Sequence, residues 1–262
     1  MVASYLHTIR GYYPAAFCTE MLETEVLGYL RQTGIDPEEV VTGNCVCSDD
    51  INSMQFPLAE RNLPGPFYLG GLDGFPFIGL TGILAIAHHM PKNGALIIYY
   101  GPHVGINEQG EIGKVRCPGH DKDSDCCAAA QTALKKISDT PRPPSLLDYQ
   151  EDVIVNLFRA NKERILNAPY PIQEATEVIY EAIDERLRLL IDRSKGQFHA
   201  KYLVLIGSIF INTDHGSKAC MAQRTFRVTN LRTNEVTDHL ELFRDYLAAS
   251  HSGEDIPILK TR

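Results

Sequence analysis

The chain has 262 residues, enough to bury a full core as one large or two small domains. Its formal net charge of −8 argues against nucleic acid or an anionic membrane as a main partner, and no apolar run approaches the roughly 18 to 20 residues that span a bilayer. Seven cysteines is an odd number in a chain too large to need stapling, so reduced, intracellular thiols are expected, with metal binding or catalysis as candidate uses.

The opening stretch, MVASYLHTIRGYYPAAF, lacks the basic start and long apolar run of a secretory signal and the Arg- and Ser-rich character of a transit peptide. A soluble intracellular protein is the expectation. Residues 20–33 place Met21, Leu22, Val26, Leu27 and Leu30 at helical spacing and stop before Gly34. EEVVTGNCV then reads as a short buried strand. The stretch LPGPFYLGGLDGFPFIGLTG, dense in Gly, Pro and Phe, predicts an ordered apolar loop, since a flexible linker would be polar. In it Gly70, Gly71 and Gly74 would let backbone approach closely, and Phe75 and Phe77 would form an apolar wall or simply pack in the core.

ILAIAHHM predicts a helix, with His88 and His89 at an end where a cationic ring suits the dipole. GALIIYYGPHVGI is a strand between glycines. KVRCPGHDKDSD follows, a charged loop whose Cys117 and His120 imitate a metal spacing, although Pro118 and the polar context suggest a mobile lid. CCAAAQTALKKIS is a helix stopped by the Pro-rich DTPRPPS. Amphipathic patterns follow at 148–168 and 171–194, then the central-strand candidate KYLVLIGSIFINT and a closing helix ELFRDYLAAS. Cys18 and Cys220 are expected in packing roles. Strands alternating with helices predict an α/β fold around a mostly parallel sheet flanked by helices.

Such sheets place ligands beyond the carboxyl ends of their strands. Cys47 and Asp49 lie just after one predicted strand and His103 just after the next, so the two can be neighbours in space. Each residue alone has an ordinary explanation: a buried cysteine, a loop histidine, small residues opening a helix at Cys126–Cys127, a capping aspartate at Asp49 or Asp50. Together they form a Cys, His, Cys set, which leaves one tetrahedral position open on zinc and suits a catalytic site. No CxxC typical of structural zinc is present. A carboxylate beside such a site could orient a bound water or bind the metal and shut the site off. A nucleotide-binding module is disfavoured, because both G-x-G-x-x-G and G-x-x-x-x-G-K-[ST] are missing.

CSDDIN, GPFYLGGLDGFPFIGLTG, HHMPKNGALIIYYGPHVGI and CCAAA together resemble the low-CO2-inducible protein B family, related to β-carbonic anhydrases and grouped with the θ class. The resemblance runs from about residue 10 to the C-terminal helix. Cys47-Ser48-Asp49 resembles the first half of the β-carbonic anhydrase pattern Cys-x-Asp-x-Arg. IIYYGPHVG is similar to its strand leading into Gly-His, and CCAAA to its Cys-Gly-Ala helix start. The resemblance implies a single β-carbonic anhydrase-like domain over 1–262 and a tight homodimer. It implies zinc held by Cys47, His103 and Cys127, zinc hydroxide as nucleophile in reversible hydration of CO2 to bicarbonate, and Asp49 beside the bound water. Location would follow source: chloroplast stroma in an alga, cytoplasm in a bacterium. A catalytically silent zinc scaffold or bicarbonate sensor is the alternative.

Two departures stand out. Ile51 occupies the arginine position of the pattern, so Arg61 is assigned as the partner of Asp49, with a surface salt bridge as its ordinary alternative. Ala128 stands where the pattern has glycine. Cys127 is preferred over Cys126 as ligand because the small residue follows it directly.

Overall fold

The computed structural model describes residues 2–18, 22–49, 65–141, 143–215, 217 and 219–250. Helix α1 (Val2–Tyr12), strand β1 (Phe17–Cys18) and α2 (Leu22–Gln32) precede β2 (Val40–Cys45). Beyond it come β3 (Phe67–Tyr68), α3 (Gly79–Ala87), β4 (Ala95–Tyr100) and β5 (His103–Gly105). Two short strands, β6 (Lys114–Val115) and β7 (Ser124–Asp125), lead into α4 (Ala128–Lys135). Three helices follow: α5 (Tyr149–Ala160), α6 (Lys162–Leu166) and α7 (Pro171–Ser194). Strands β8 (Tyr202–Asn212), β9 (Cys220–Asn230) and β10 (Glu235–Asp238) and helix α8 (Leu240–Ser250) complete the described elements.

The main sheet has the order β1-β9-β8-β4-β2-β3, with β5 added on β8 and β10 on β9. Strands β8, β4, β2 and β3 run parallel, as the apolar runs predict, because parallel strands are covered on both faces and need apolar side chains on both. β4 shows this directly. Leu96, Ile98 and Tyr100 enter one apolar layer with residues of α3, α4, α5 and α7; Ala95, Ile97 and Tyr99 enter the other with α2 and α8.

The sheet is thus mostly parallel, as predicted, and its remaining strands are antiparallel. β9 pairs antiparallel with β8, and β1 and β10 pair antiparallel with β9, so a parallel centre carries an antiparallel side. β9 escapes a search for apolar runs because it carries Gln223, Arg224, Thr225, Arg227 and Thr229. α7 covers 171–194 as its periodicity predicts, starting on Pro171, whose missing N–H has no intrahelical partner at that position anyway. The 148–168 pattern is two helices, broken at Asn161, which caps one and opens the next.

The expected packing role of Cys18 and Cys220 is corrected. The two face each other in the β1–β9 register and are bridged as a disulfide, leaving five thiols unbridged. Sequence could not pair them, since 202 residues separate them. The segment expected as a mobile lid is the connection of the β6–β7 hairpin. Its base carries Lys114–Asp125 at 2.6 Å and Arg116–Asp123 at 3.0 Å, and its turn is closed by the His120 N–H donating to Cys117 O at 3.2 Å.

Candidate metal centre

The parallel strands β2 and β4 end at the same level, Cys45 pairing with Tyr100, and their outgoing chains cross on the carboxyl side of the sheet. The Gly101 N–H donates to Cys45 O at 3.1 Å, which ties the two exits together. Cys47 lies two residues past the end of β2. It is held from the other side by the segment 70–75: the Ser48 N–H donates to Gly71 O at 3.2 Å and the Asp73 N–H to Cys47 Sγ at 3.1 Å. This clasp requires glycine. A Cβ on Gly70 would stand 2.2 Å from Val46 O, and one on Gly74, which sits at φ 78°, 2.4 Å from Gly101 O. The close approach expected of these glycines is thus present, and its purpose is to lock the loop of Cys47.

His103 opens β5 and pairs with Phe210 of β8, so its backbone is fixed by the sheet. Its Nδ1 lies 2.6 Å from Asn212 Oδ1. An amide oxygen can only accept, so Nδ1 carries a proton, and in the neutral ring the lone pair is left on Nε2. Cys126 and Cys47 outweigh the effect of burial and hold the pKa of the ring well above its ordinary value, so a cation that binds at Nε2 displaces a proton there. That Nε2 is buried and has no hydrogen-bond partner among the described residues. Cys127 is the N-cap residue of α4. The ligand atoms of Cys47, His103 and Cys127 all lie within 4.8 Å of one another, and all three residues are buried.

This donor set fits a zinc-like cation. Two sulfurs and one imidazole nitrogen are its ordinary partners, and an unpartnered, lone-pair-bearing nitrogen aimed among buried sulfurs is the form such a ligand takes. The thiols need such a cation in order to ionise. Contact with the Cys127 thiol, together with burial, pushes the Cys47 thiol above its ordinary range. At Cys127 a hydrogen bond with Cys47 works downward, but burial and the nearby Asp73 carboxylate carry the net shift upward.

Cys126 lies on the other side of the ring, its Sγ 3.6 Å from His103 Nδ1 and 3.5 Å from Asn212 Oδ1. Of the neighbouring pair, Cys127 therefore faces the lone pair. Asp49 reaches the cluster from the solvent side: its Oδ2 is 4.0 Å from His103 Nε2, with its side chain 35% exposed. Arg61, expected to orient Asp49, lies outside the described residues, as do Asp50 and Ile51.

Other chemistry-bearing or aromatic residues fall elsewhere. Cys45 is core, fully buried, its thiol donating to Gly74 O at 3.2 Å. Phe75 and Phe77 pack against each other at 5.1 Å, and His88 caps the carboxyl end of α3. Cys117 and His120 are not part of the cluster.

Two residues escaped sequence reasoning. Asn212 ends a predicted central strand, and that position beyond the strand is the one signal that could have found it. Asp73 sits inside the glycine-rich stretch and is fully buried. Burial pushes its carboxyl up to about 6, against the pull of His103 and Cys127.

Residues 16–230 match the family of limiting CO2-inducible proteins B/C, β-carbonic anhydrases. The fold is similar to the crystal structure of PtLCIB4, a homolog of the limiting CO2-inducible protein LCIB, at 24% identity and a TM-score of 0.78, covering 89% of this chain and 98% of that one. LCIB itself is similar at 16% identity and a TM-score of 0.63, covering 88% and 97%. No curated protein matches significantly.

Proposed function

The chain belongs to the limiting CO2-inducible protein B/C family of β-carbonic anhydrases, and on that premise we propose that it is a zinc-dependent carbonic anhydrase catalysing the reversible hydration of CO2 to bicarbonate. The observation that carries the reading is the convergence of buried Cys47, His103 and Cys127 around the unpartnered Nε2. These three would hold the metal. When bound, zinc supplies the Lewis acidity that lets a water molecule lose its proton near pH 7.

The protein's own contribution is positional. Asn212 holds the His103 ring in the tautomer that presents Nε2. The 70–75 clasp holds Cys47 in place. Asp49, on the partly exposed rim, would accept a hydrogen bond from the reacting water and so orient it, with that rim as the way out for the released proton. CO2 has no net charge and needs few hydrogen bonds, so the apolar Phe75–Phe77 pair beside the clasp suits it. Arg61 is the proposed partner of Asp49. A second copy is the proposed partner of the chain. Leu146 and Leu147, 101% and 100% exposed beside the half-exposed Tyr149, supply apolar surface for it. Among the described residues no helix is long and apolar enough to cross a membrane.

A silent scaffold is the second reading. It is favoured by Ile51 at the arginine position of the β pattern and by the closeness of Asp49 Oδ2 to Nε2, from which a carboxylate can fill the fourth ligand position itself. The test is stopped-flow CO2 hydration on protein of assayed zinc content, beside Cys47→Ala. Zinc near one per chain, with turnover that the substitution abolishes, supports the enzyme. Zinc without turnover at any pH supports the scaffold, and no zinc overturns both.

A further inference from the structure

Asp73 carries two costs in one residue. Its side chain is 0% exposed, and neither carboxylate oxygen has a hydrogen-bond partner among the described residues. Burying an ionised group without full partners is strongly unfavourable. Its backbone sits at φ 52° and ψ 25°, the left-handed region that residues other than glycine seldom adopt. Packing alone gives no reason for either. An asparagine would suit the same backbone without a charge, and a glycine would suit it better.

The surroundings supply the reason. The Asp73 N–H donates to Cys47 Sγ at 3.1 Å, so the residue is locked against one candidate ligand. Its carboxylate lies within reach of the His103 backbone and the Cys127 thiol, both of which favour its charged form. It does not join the three-residue cluster itself, whose ligand atoms are all within 4.8 Å of one another. Asp73 is therefore a fully buried carboxyl group next to the three candidate ligands, whereas Asp49 reaches them from the partly exposed side.

We propose that Asp73 is an electrostatic positioning residue of the metal centre, a fixed buried charge that strengthens the hold of Cys47, His103 and Cys127 on a divalent cation and opposes the binding of anions in the open position. The charges decide the signs. Two thiolates balance a dication, and a third buried negative charge leaves the loaded site at −1. An extra anion next to the ligands attracts the cation at short range in a low dielectric. The same charge repels an incoming anion, bicarbonate included, and so favours product release.

The inference rests on the ligand reading given above, and cobalt separates the two. Metal-free full-length protein is titrated with Co2+, followed by thiolate-to-cobalt absorption, and the cobalt form is then titrated with azide as an anion probe. Asp73→Asn keeps the N–H and the approximate shape while removing the charge. It is expected to weaken cobalt binding 10- to 100-fold, the usual range for groups behind the ligands, while tightening azide binding. A merely structural loss of the clasp would weaken both. If Asp73→Asn does not fold, Asp73→Gly, suited to the left-handed backbone, carries the same two expectations. Cobalt and azide affinities within twofold of wild type overturn this inference alone. Failure of the wild-type chain to give thiolate-to-cobalt absorption overturns the ligand reading and this inference together.

Discussion

The Nδ1 of His103 lies 2.6 Å from the side-chain oxygen of Asn212, and this contact decides which ring nitrogen is available to a metal. β5 and β8 bring the two together: His103 pairs with Phe210, and Asn212 ends β8 two residues on. Without the amide oxygen the ring can carry its proton on Nε2, which turns a ligand into a donor. Asn212→Leu is expected to weaken zinc or cobalt binding about 10- to 100-fold with little change in secondary structure. Competition against a chelator of known affinity measures it, and unchanged affinity would remove Asn212 from the site.

Cys126 and Cys127 are adjacent in sequence but face opposite sides of the His103 ring. Cys127→Ser is expected to remove one thiolate from the cobalt complex, seen as a loss of roughly half the charge-transfer intensity and a large loss of affinity. Cys126→Ser keeps both thiolates and the intensity. The reverse pattern would assign the ligand to Cys126.

Metal uptake is expected to depend steeply on pH. Both candidate thiols, Cys47 and Cys127, are held above their ordinary range, so both are protonated near neutrality and must lose a proton to bind a metal. Affinity therefore rises with pH, with log K gaining about 2 per pH unit from the two thiols, and falls as acid returns the protons. The gain is about 3 where His103, whose pKa is raised against the effect of burial by Cys126 and Cys47, gives up a proton as well. Proton release on mixing with zinc in weak buffer measures the number. A pH-independent affinity would show that the thiols are not the ligands.

The clasp over Cys47 tolerates no side chain at its closest points. Gly70→Ala places a Cβ 2.2 Å from Val46 O, and Gly74→Ala combines a clash at 2.4 Å with a left-handed backbone. Each is expected to cost about 1–3 kcal/mol in urea unfolding and to loosen metal binding, because the displaced loop carries Cys47. Gly119→Ala serves as control, since its φ of 75° also disfavours a side chain while nothing lies within 4 Å. It is expected to lower stability without changing metal affinity.

The seven cysteines are expected to divide as five thiols and one bridge. Denatured, unreduced protein should take five alkyl groups by intact mass, and reduced protein seven. Seven in both cases would return Cys18 and Cys220 to the packing role that their sequence context suggests.

What could be read in the chain follows from where the information is local. The helix of 171–194 and the strands 95–100 and 202–212 announce themselves by periodicity or by continuous apolar runs, because burial on one or both faces dictates them residue by residue. β9 was not legible. Its polar and charged residues alternate with apolar ones on a half-covered antiparallel strand, and its place beside β8 is a long-range fact. The bridge of Cys18 to Cys220 was hidden for the same reason.

The site divides along the same line. By itself the sequence picked out the candidate donors: two kinds of soft or borderline donor, Cys47, His103 and the Cys126–Cys127 pair, each at a predicted strand end or helix start, with Asp49 next to the first. That reading works because parallel sheets deliver their loops to one edge, so residue type and strand position suffice. Only the tertiary structure places Cys126 rather than Cys127 beside Nδ1, Asn212 against the same nitrogen, and the backbone N–H of buried Asp73 on Cys47. Those are matters of direction and distance between segments far apart in the chain, set when β5 docks on β8 and the glycine clasp closes over Cys47, and no local pattern of residues encodes them.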